Sequence, residues 1–61
     1  MNKPTKSEIV PGLALRSTRF SEVIVEGWLN KSRGIVSATV NDGGPRQGDR
    51  VSLPMQVLRW Q

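Results

Sequence analysis

The side chains best suited to recognising another molecule in this chain are basic and aromatic. Arginine outnumbers lysine, and the guanidinium fork matches the oxygens of phosphate and carboxylate groups in a bidentate fashion. Trp28 and Trp60 are large enough to stack on a base or to fill a groove. We predict that six cations at strand ends and loops contact phosphates: Arg16, Arg19, Lys31, Arg33, Arg46 and Arg50. Arg59 occupies a comparable position near a strand end.

Catalytic chemistry has little support in the residue types present. The chain has no cysteine and no histidine, so a nucleophilic triad, a thiolate mechanism and a transition-metal site are all disfavoured. The carboxylates are spread over predicted strands and turns without the paired spacing of an acid–base couple or a magnesium site. The glycine-rich segment 43–48 lacks the ending of a phosphate-binding loop. We therefore predict a binding protein that is not an enzyme, with no catalytic residue, no metal and no cofactor.

Length and charge narrow the choice of partner. Nine Lys and Arg residues against five Asp and Glu residues give the 61-residue chain a net charge of +4. Such a field favours polyanions, first nucleic acid, then acidic protein surfaces, then anionic membranes. A solubilising role for the excess charge is the alternative. Because a domain this small has marginal stability and here has no disulfide or zinc ligands, we expect either a closed barrel or a homo-oligomer.

The chain is predicted to form one small domain over residues 8–61, preceded by a disordered N-terminal tail over residues 1–7. The tail mixes Asn, Lys, Pro, Thr and Ser without periodic apolar positions. No apolar run follows it that is long enough for a secretory signal or a membrane span. We therefore expect a cytoplasmic location and no contact with a membrane.

The strongest structural signal is a β-hairpin between Ser21 and Asp42, built around the turn sequence Lys31-Ser32-Arg33-Gly34. The predicted register pairs Leu29 with Val36, Val25 with Val40, Gly27 with Ala38 and Lys31 with Gly34. One face of the hairpin is then almost wholly apolar and is predicted to form the core. Its members are Val23, Val25, Leu29, Val36, Ala38 and Val40.

The opposite face of the same hairpin contains three large apolar residues, Ile24, Trp28 and Ile35. A solvated face would not normally hold such side chains, so we predict that these three form an interface. They would be covered either by another strand of a barrel or by a partner. For Trp60 the preferred role is closure of the core.

The remainder of the chain follows a recognisable order. A turn-rich loop over residues 41–49 precedes a strand at Arg50 to Leu53, then Pro54, one helical turn and a short last strand. The segment Val51-Ser52-Leu53-Pro54-Met55-Gln56-Val57-Leu58-Arg59-Trp60 resembles the end of SH3-like small barrels, in which the last strand pairs back on the first. The resemblance implies an all-β fold, a small barrel of about five antiparallel strands with one 3₁₀ turn near the C-terminus.

Proteins with this layout commonly bind their ligands through the barrel face or loops. They include integrase C-terminal domains, Tudor-like modules and the plasmid-borne type II dihydrofolate reductases. The reductases have Gln, Ile and Tyr on the late strand where this chain has Val51-Ser52-Leu53, so their activity is not carried over.

Three functions remain open at this point. The leading hypothesis is a small basic protein that binds nucleic acid, double-stranded DNA in particular, as an accessory or regulatory protein. The competing hypothesis is a protein-interaction module, a small inhibitor or adaptor that docks through the Trp28 face with its arginines against an acidic patch. An oligomeric enzyme whose site forms only at a symmetry axis comes third.

Overall fold

β-Branched residues concentrate in the segments that become strands, and glycine and proline separate them. The structure is a computed structural model that describes residues 3–61. It contains five strands, β1 (Ala14–Ser17), β2 (Val23–Asn30), β3 (Ile35–Val40), β4 (Arg50–Pro54) and β5 (Leu58–Arg59). Two 3₁₀ turns, Lys6–Glu8 and Met55–Val57, complete the regular structure. The all-β prediction is confirmed, including the strand, 3₁₀ turn and strand after residue 50.

The strands form one antiparallel sheet with the order β4-β3-β2-β1-β5. The first half of β1 pairs with β2 and its second half pairs with β5, so the last strand does return to the first, as the SH3-like layout implied. The sheet is not closed into a barrel, because β4 and β5 stand at opposite ends of the strand order without pairing to each other. The expected barrel is therefore corrected to an open five-stranded sheet.

The core lies on one face of this sheet. Alternate residues of β2 and β3 point into it, and Leu15, Leu53 and Leu58 extend it across the neighbouring strands. The predicted core residues of the hairpin are confirmed at five positions that are at most 1% exposed, Val23, Val25, Val36, Ala38 and Val40. The sixth, Leu29, is wrong, since its side chain is 64% exposed.

Two irregularities in β2 explain the exposure of Leu29. The predicted register holds next to the turn, where the Gly34 amide donates to the Lys31 carbonyl at 3.1 Å. One extra residue of β2 then lies between Trp28 and Asn30, and a second lies between Val25 and Gly27. Each bulge shifts the pairing by one residue and so moves the side chains beyond it to the opposite face of the sheet from the one predicted.

The pairs that result differ from the predicted ones. Trp28, not Leu29, pairs with Val36, and Val25 pairs with Ala38 instead of Val40. Gly27 pairs with Ser37 instead of Ala38. Because the second bulge reverses the effect of the first, Val23 and Val25 return to the core face on which they were predicted.

The segment predicted as an N-terminal tail lies only partly outside the described residues. Met1 and Asn2 are not described, Pro4 is buried, and Thr5 begins the first 3₁₀ turn. The Thr5 amide donates to Glu8 Oε1 at 2.8 Å, and the Glu8 amide donates to the Thr5 carbonyl at 3.0 Å. The first bond is the Glu8 side-chain half of the capping box that Thr5 and Glu8 form, and the second is the backbone bond that closes the 3₁₀ turn. The domain boundary at residue 8 stays a prediction.

Across residues 3–61, none of the helical segments has the length and apolar character needed to cross a lipid bilayer.

Candidate nucleic-acid interface

Two of the six predicted phosphate-binding cations are paired with carboxylates of the protein. Arg46 Nε lies 3.0 Å from Asp49 Oδ2, within the loop between β3 and β4. Arg50 Nε lies 2.9 Å from Glu26 Oε1, and the other oxygen of Glu26 accepts a hydrogen bond from the Thr39 hydroxyl. Glu26 is the extra residue of a β2 bulge, so the bulge directs its side chain across β3 towards β4. These two arginines are therefore partly neutralised within the fold.

Lys31 and Arg33 are exposed in the turn between β2 and β3. The turn is fixed by Asn30, whose Oδ1 accepts hydrogen bonds from the Ser32 hydroxyl at 2.8 Å and from the Arg33 amide at 3.2 Å. Gly34 closes it with a φ of 72°, a left-handed conformation that glycine adopts without steric cost. The backbone of the turn is thus well defined, and its two cationic side chains project from it into solvent.

Arg16 lies at the other end of the sheet, directly opposite Arg59 in the pairing of β1 with β5. Residues opposite each other on antiparallel strands share a face and have Cβ atoms about 4.5–5.5 Å apart. The Arg16 side chain is exposed, and Arg59 is half-buried. Two residues of like charge therefore occupy opposed positions of β1 and β5 on the side of the sheet opposite the core, an arrangement that destabilises a sheet in the absence of a counter-ion.

Arg19 follows in the turn after β1. The Ser17 hydroxyl oxygen accepts hydrogen bonds from the Arg19 amide at 3.1 Å and from the Phe20 amide at 2.9 Å, which folds the chain back sharply. The guanidinium carbon of Arg19 lies 5.8 Å from the centroid of the Phe20 ring, within the range of a cation–π contact. Arg19 is exposed and adds a third cation near the end of β1.

The six predicted cations do not form one patch. The β2–β3 turn that bears Lys31 and Arg33 lies at the end of β2, whereas Arg16 lies beyond its start, next to the pair Leu15 and Val23. The rise of an extended strand puts the two ends of β2 roughly 23 Å apart. The cations thus fall into a group at each end, and Arg46 and Arg50 are held in ion pairs.

Arg59 was not among the six predicted site residues. Its position opposite Arg16 depends on the register of a two-residue strand, which no local pattern specifies. The SH3-like layout implied that the last strand pairs with the first. That pairing could have indicated that an arginine of each strand lies at the same edge of the sheet.

The three predicted interface residues are not on one face. Ile24 pairs with Thr39 and Ile35 with Asn30, on the side of the sheet opposite the core. Trp28 pairs with Val36 and packs, half-buried, against the core cluster, as Trp60 also does. The bulge at Leu29 is the physical reason. The prediction that these three residues share one face is therefore wrong. Whether each of them contacts a partner is a separate question, and that role stays a prediction.

No group of three or more potential metal ligands occurs within residues 3–61, and no pocket opens on the surface that these residues form. Comparisons with protein families, with curated proteins and with solved structures gave no match.

Proposed function

We propose that this protein is a small basic nucleic-acid-binding protein, an accessory or regulatory factor that binds double-stranded DNA in the cytoplasm. The supporting observation is that most of the cations have no carboxylate partner within residues 3–61. Nine cations minus the two in ion pairs, Arg46 and Arg50, leaves seven without a carboxylate within 4.0 Å among the described residues. Exposed, unpaired cations exchange bound counter-ions for phosphates, which is the main source of affinity for nucleic acid.

The placement of the aromatic residues favours a duplex over a single strand. Proteins that bind single strands stack bases on exposed aromatic rings. The three aromatic residues of this chain, Phe20, Trp28 and Trp60, all belong to the core or pack against it. Recognition would therefore occur mainly through the phosphate backbone, which a duplex presents at regular spacing.

Self-association is part of the proposal. The open sheet leaves β4 and β5 as edge strands, and exposed edges favour pairing with another chain. Within residues 3–61, Leu29 and Val10 are the large apolar residues that remain exposed, at 64% and 49%. An oligomer would hide such surface and would repeat the cationic groups along a DNA duplex. We further propose that the open sheet is a variant of the SH3-like layout.

The test is a titration of a fluorescent DNA duplex and of a matched single strand, followed by anisotropy at several salt concentrations. The expected result is binding to the duplex with an affinity that falls steeply as salt rises. For each phosphate contact, the logarithm of the binding constant should fall by about 0.9 for every tenfold rise in salt concentration. Affinity that does not change between dilute and physiological salt would overturn the proposal. Capture of a protein from lysate that persists after nuclease treatment would support the competing protein-interaction function.

A further inference from the structure

The unusual feature of the cationic surface is the direct pairing of Arg16 with Arg59. Like charges at opposed positions of a sheet are unfavourable, and in this protein neither arginine forms an ion pair within residues 3–61. The adjacent strand offers one carboxylate, because the β1–β2 register, Ala14 with Ile24 and Leu15 with Val23, would next bring Glu22 beside Arg16. Glu22 instead accepts a hydrogen bond from Asn41 Nδ2 at 2.8 Å. The arginine pair therefore has no counter-ion within the described fold.

The Arg59 guanidinium is held in a fixed orientation. Its Nη1 donates to the Gln56 carbonyl at 2.5 Å and to the Leu58 carbonyl at 2.9 Å. These bonds use the two protons of Nη1 and satisfy carbonyls at the end of the second 3₁₀ turn. A guanidinium has five donors, so the Nε proton and the Nη2 protons remain, and none of them is given to an acceptor within residues 3–61. The Nε and Nη2 protons form the side-on fork that binds two oxygens of one anion.

We propose that Arg16 and Arg59 form a clamp for one backbone phosphate of double-stranded DNA, a proposal that depends on the function proposed above. Arg59 supplies the preorganised fork, since its orientation is already fixed by two backbone carbonyls and little side-chain entropy is lost on binding. Arg16, exposed and opposite it, supplies a second charge to the same phosphate. The bound phosphate becomes the missing counter-ion and removes the repulsion between the two arginines.

A phosphodiester is favoured over a protein carboxylate by the duplex-binding function proposed above and not by donor geometry, since a carboxylate also keeps lone pairs beyond those that one guanidinium fork uses. The two cations approach from adjacent strands. The two non-bridging oxygens of a phosphate can accept from Arg59 while still accepting from Arg16. Because every phosphate of a duplex is chemically alike, the clamp would fix the orientation of the protein on the DNA without recognising the base sequence.

Three variants separate this clamp from a diffuse positive field. Arg16→Gln removes one charge and should reduce the salt slope for the duplex by about 0.9 units and the affinity by about tenfold at moderate salt. Arg59→Lys keeps the charge but loses the fork, so affinity should fall while the salt slope stays near that of the wild type. Lys6→Gln is the matched control, because it removes one charge from an exposed residue of the first 3₁₀ turn. It should reduce affinity much less than Arg16→Gln.

Folding is checked by circular dichroism, because Arg59→Lys also removes the bonds to two carbonyls. Arg16→Glu provides a variant without that problem, since it replaces a repulsive cross-strand pair with an attractive one. It should raise the melting temperature and yet abolish tight duplex binding. Higher stability with lost binding would exclude misfolding as the cause of the loss, and the comparison of Arg16→Gln with Lys6→Gln then decides between the clamp and a diffuse positive field.

The outcomes of this experiment distinguish the two proposals. If the wild type does not bind the duplex, the nucleic-acid function and the clamp both fail. If the wild type binds with the expected salt dependence but Arg16→Gln and Arg59→Lys behave like Lys6→Gln, the clamp is overturned and the function stands.

Discussion

Trp28 lies directly opposite Val36 in the pairing of β2 with β3, on the face of the sheet that forms the core. It packs there against the core cluster and is half-buried. The next residue, Leu29, is the extra residue of a bulge and remains 64% exposed. Two adjacent large apolar side chains thus have opposite environments, and the bulge alone decides which of them stabilises the fold.

We predict that Trp28→Ala and Leu29→Ala differ strongly in stability. Trp28→Ala should lower the free energy of unfolding by about 2 kcal/mol, less than for a fully buried tryptophan because part of the ring is already in water. In the dilute, monomeric protein, Leu29→Ala should change it by no more than about 0.5 kcal/mol, as is usual for exposed positions. Urea unfolding followed by circular dichroism measures both. A larger loss of unfolding free energy for Leu29→Ala than for Trp28→Ala would support the regular hairpin register, with Leu29 in the core, and would contradict the bulge.

The hairpin shows which parts of the fold the sequence determines. The alternation of Val23 with Val25 and of Val36 with Val40 identified the core face, because a strand that packs on one side repeats every two residues. The turn also followed from local chemistry, since Gly34 marks the position that needs a positive φ. These features depend only on neighbouring residues and were predicted correctly.

The bulges depend on the partner strand and were missed. The available signal was Gly27 inside an otherwise β-branched strand, since glycine within a strand often marks a bulge. Its φ is 153°, in the region that favours glycine. The predicted register also ran straight through Leu29, where no residue type marks the other bulge, and this exchanged Trp28 with Leu29 and grouped Trp28 with Ile24 and Ile35.

The candidate site shows the same division between local and distant information. Exposure of Lys31 and Arg33 follows from their place in a turn. The ion pair of Glu26 with Arg50 spans three strands, and the register that sets Arg16 opposite Arg59 joins the first strand to the last. Both depend on strand register across long stretches of sequence, so a list of cations alone could not separate the paired arginines from the unpaired ones.

Gly34 provides a second stability prediction. Its carbonyl accepts a hydrogen bond from the Met55 amide at 2.8 Å, and a Cβ added to Gly34 would lie 3.5 Å from Met55 Cγ, an ordinary contact. The cost of Gly34→Ala should therefore come from the φ of 72° and amount to about 1 kcal/mol. Gly34→Asn should cost less, because asparagine tolerates the left-handed region better. Equal losses in chemical denaturation would indicate a steric effect instead of a backbone one.

The last prediction concerns Glu22, the carboxylate that the β1–β2 register would place beside Arg16. If Arg16 and Arg59 bind a phosphate, a nearby negative charge opposes the approach of DNA. Glu22→Gln should therefore raise the affinity for a duplex by a few-fold, since surface charge interactions are worth about 1 kcal/mol or less.

The fold should tolerate Glu22→Gln, because the amide oxygen of glutamine can still accept the hydrogen bond from Asn41. Glu8→Gln is the matched control. It makes the same change in net charge, and its amide oxygen can still accept from Thr5 in the capping box. Anisotropy titrations at one moderate salt concentration compare the two variants with the wild type. A larger gain for Glu22→Gln localises the phosphate near Arg16. Equal gains would mean that DNA responds only to the net charge of the protein and would contradict a localised site.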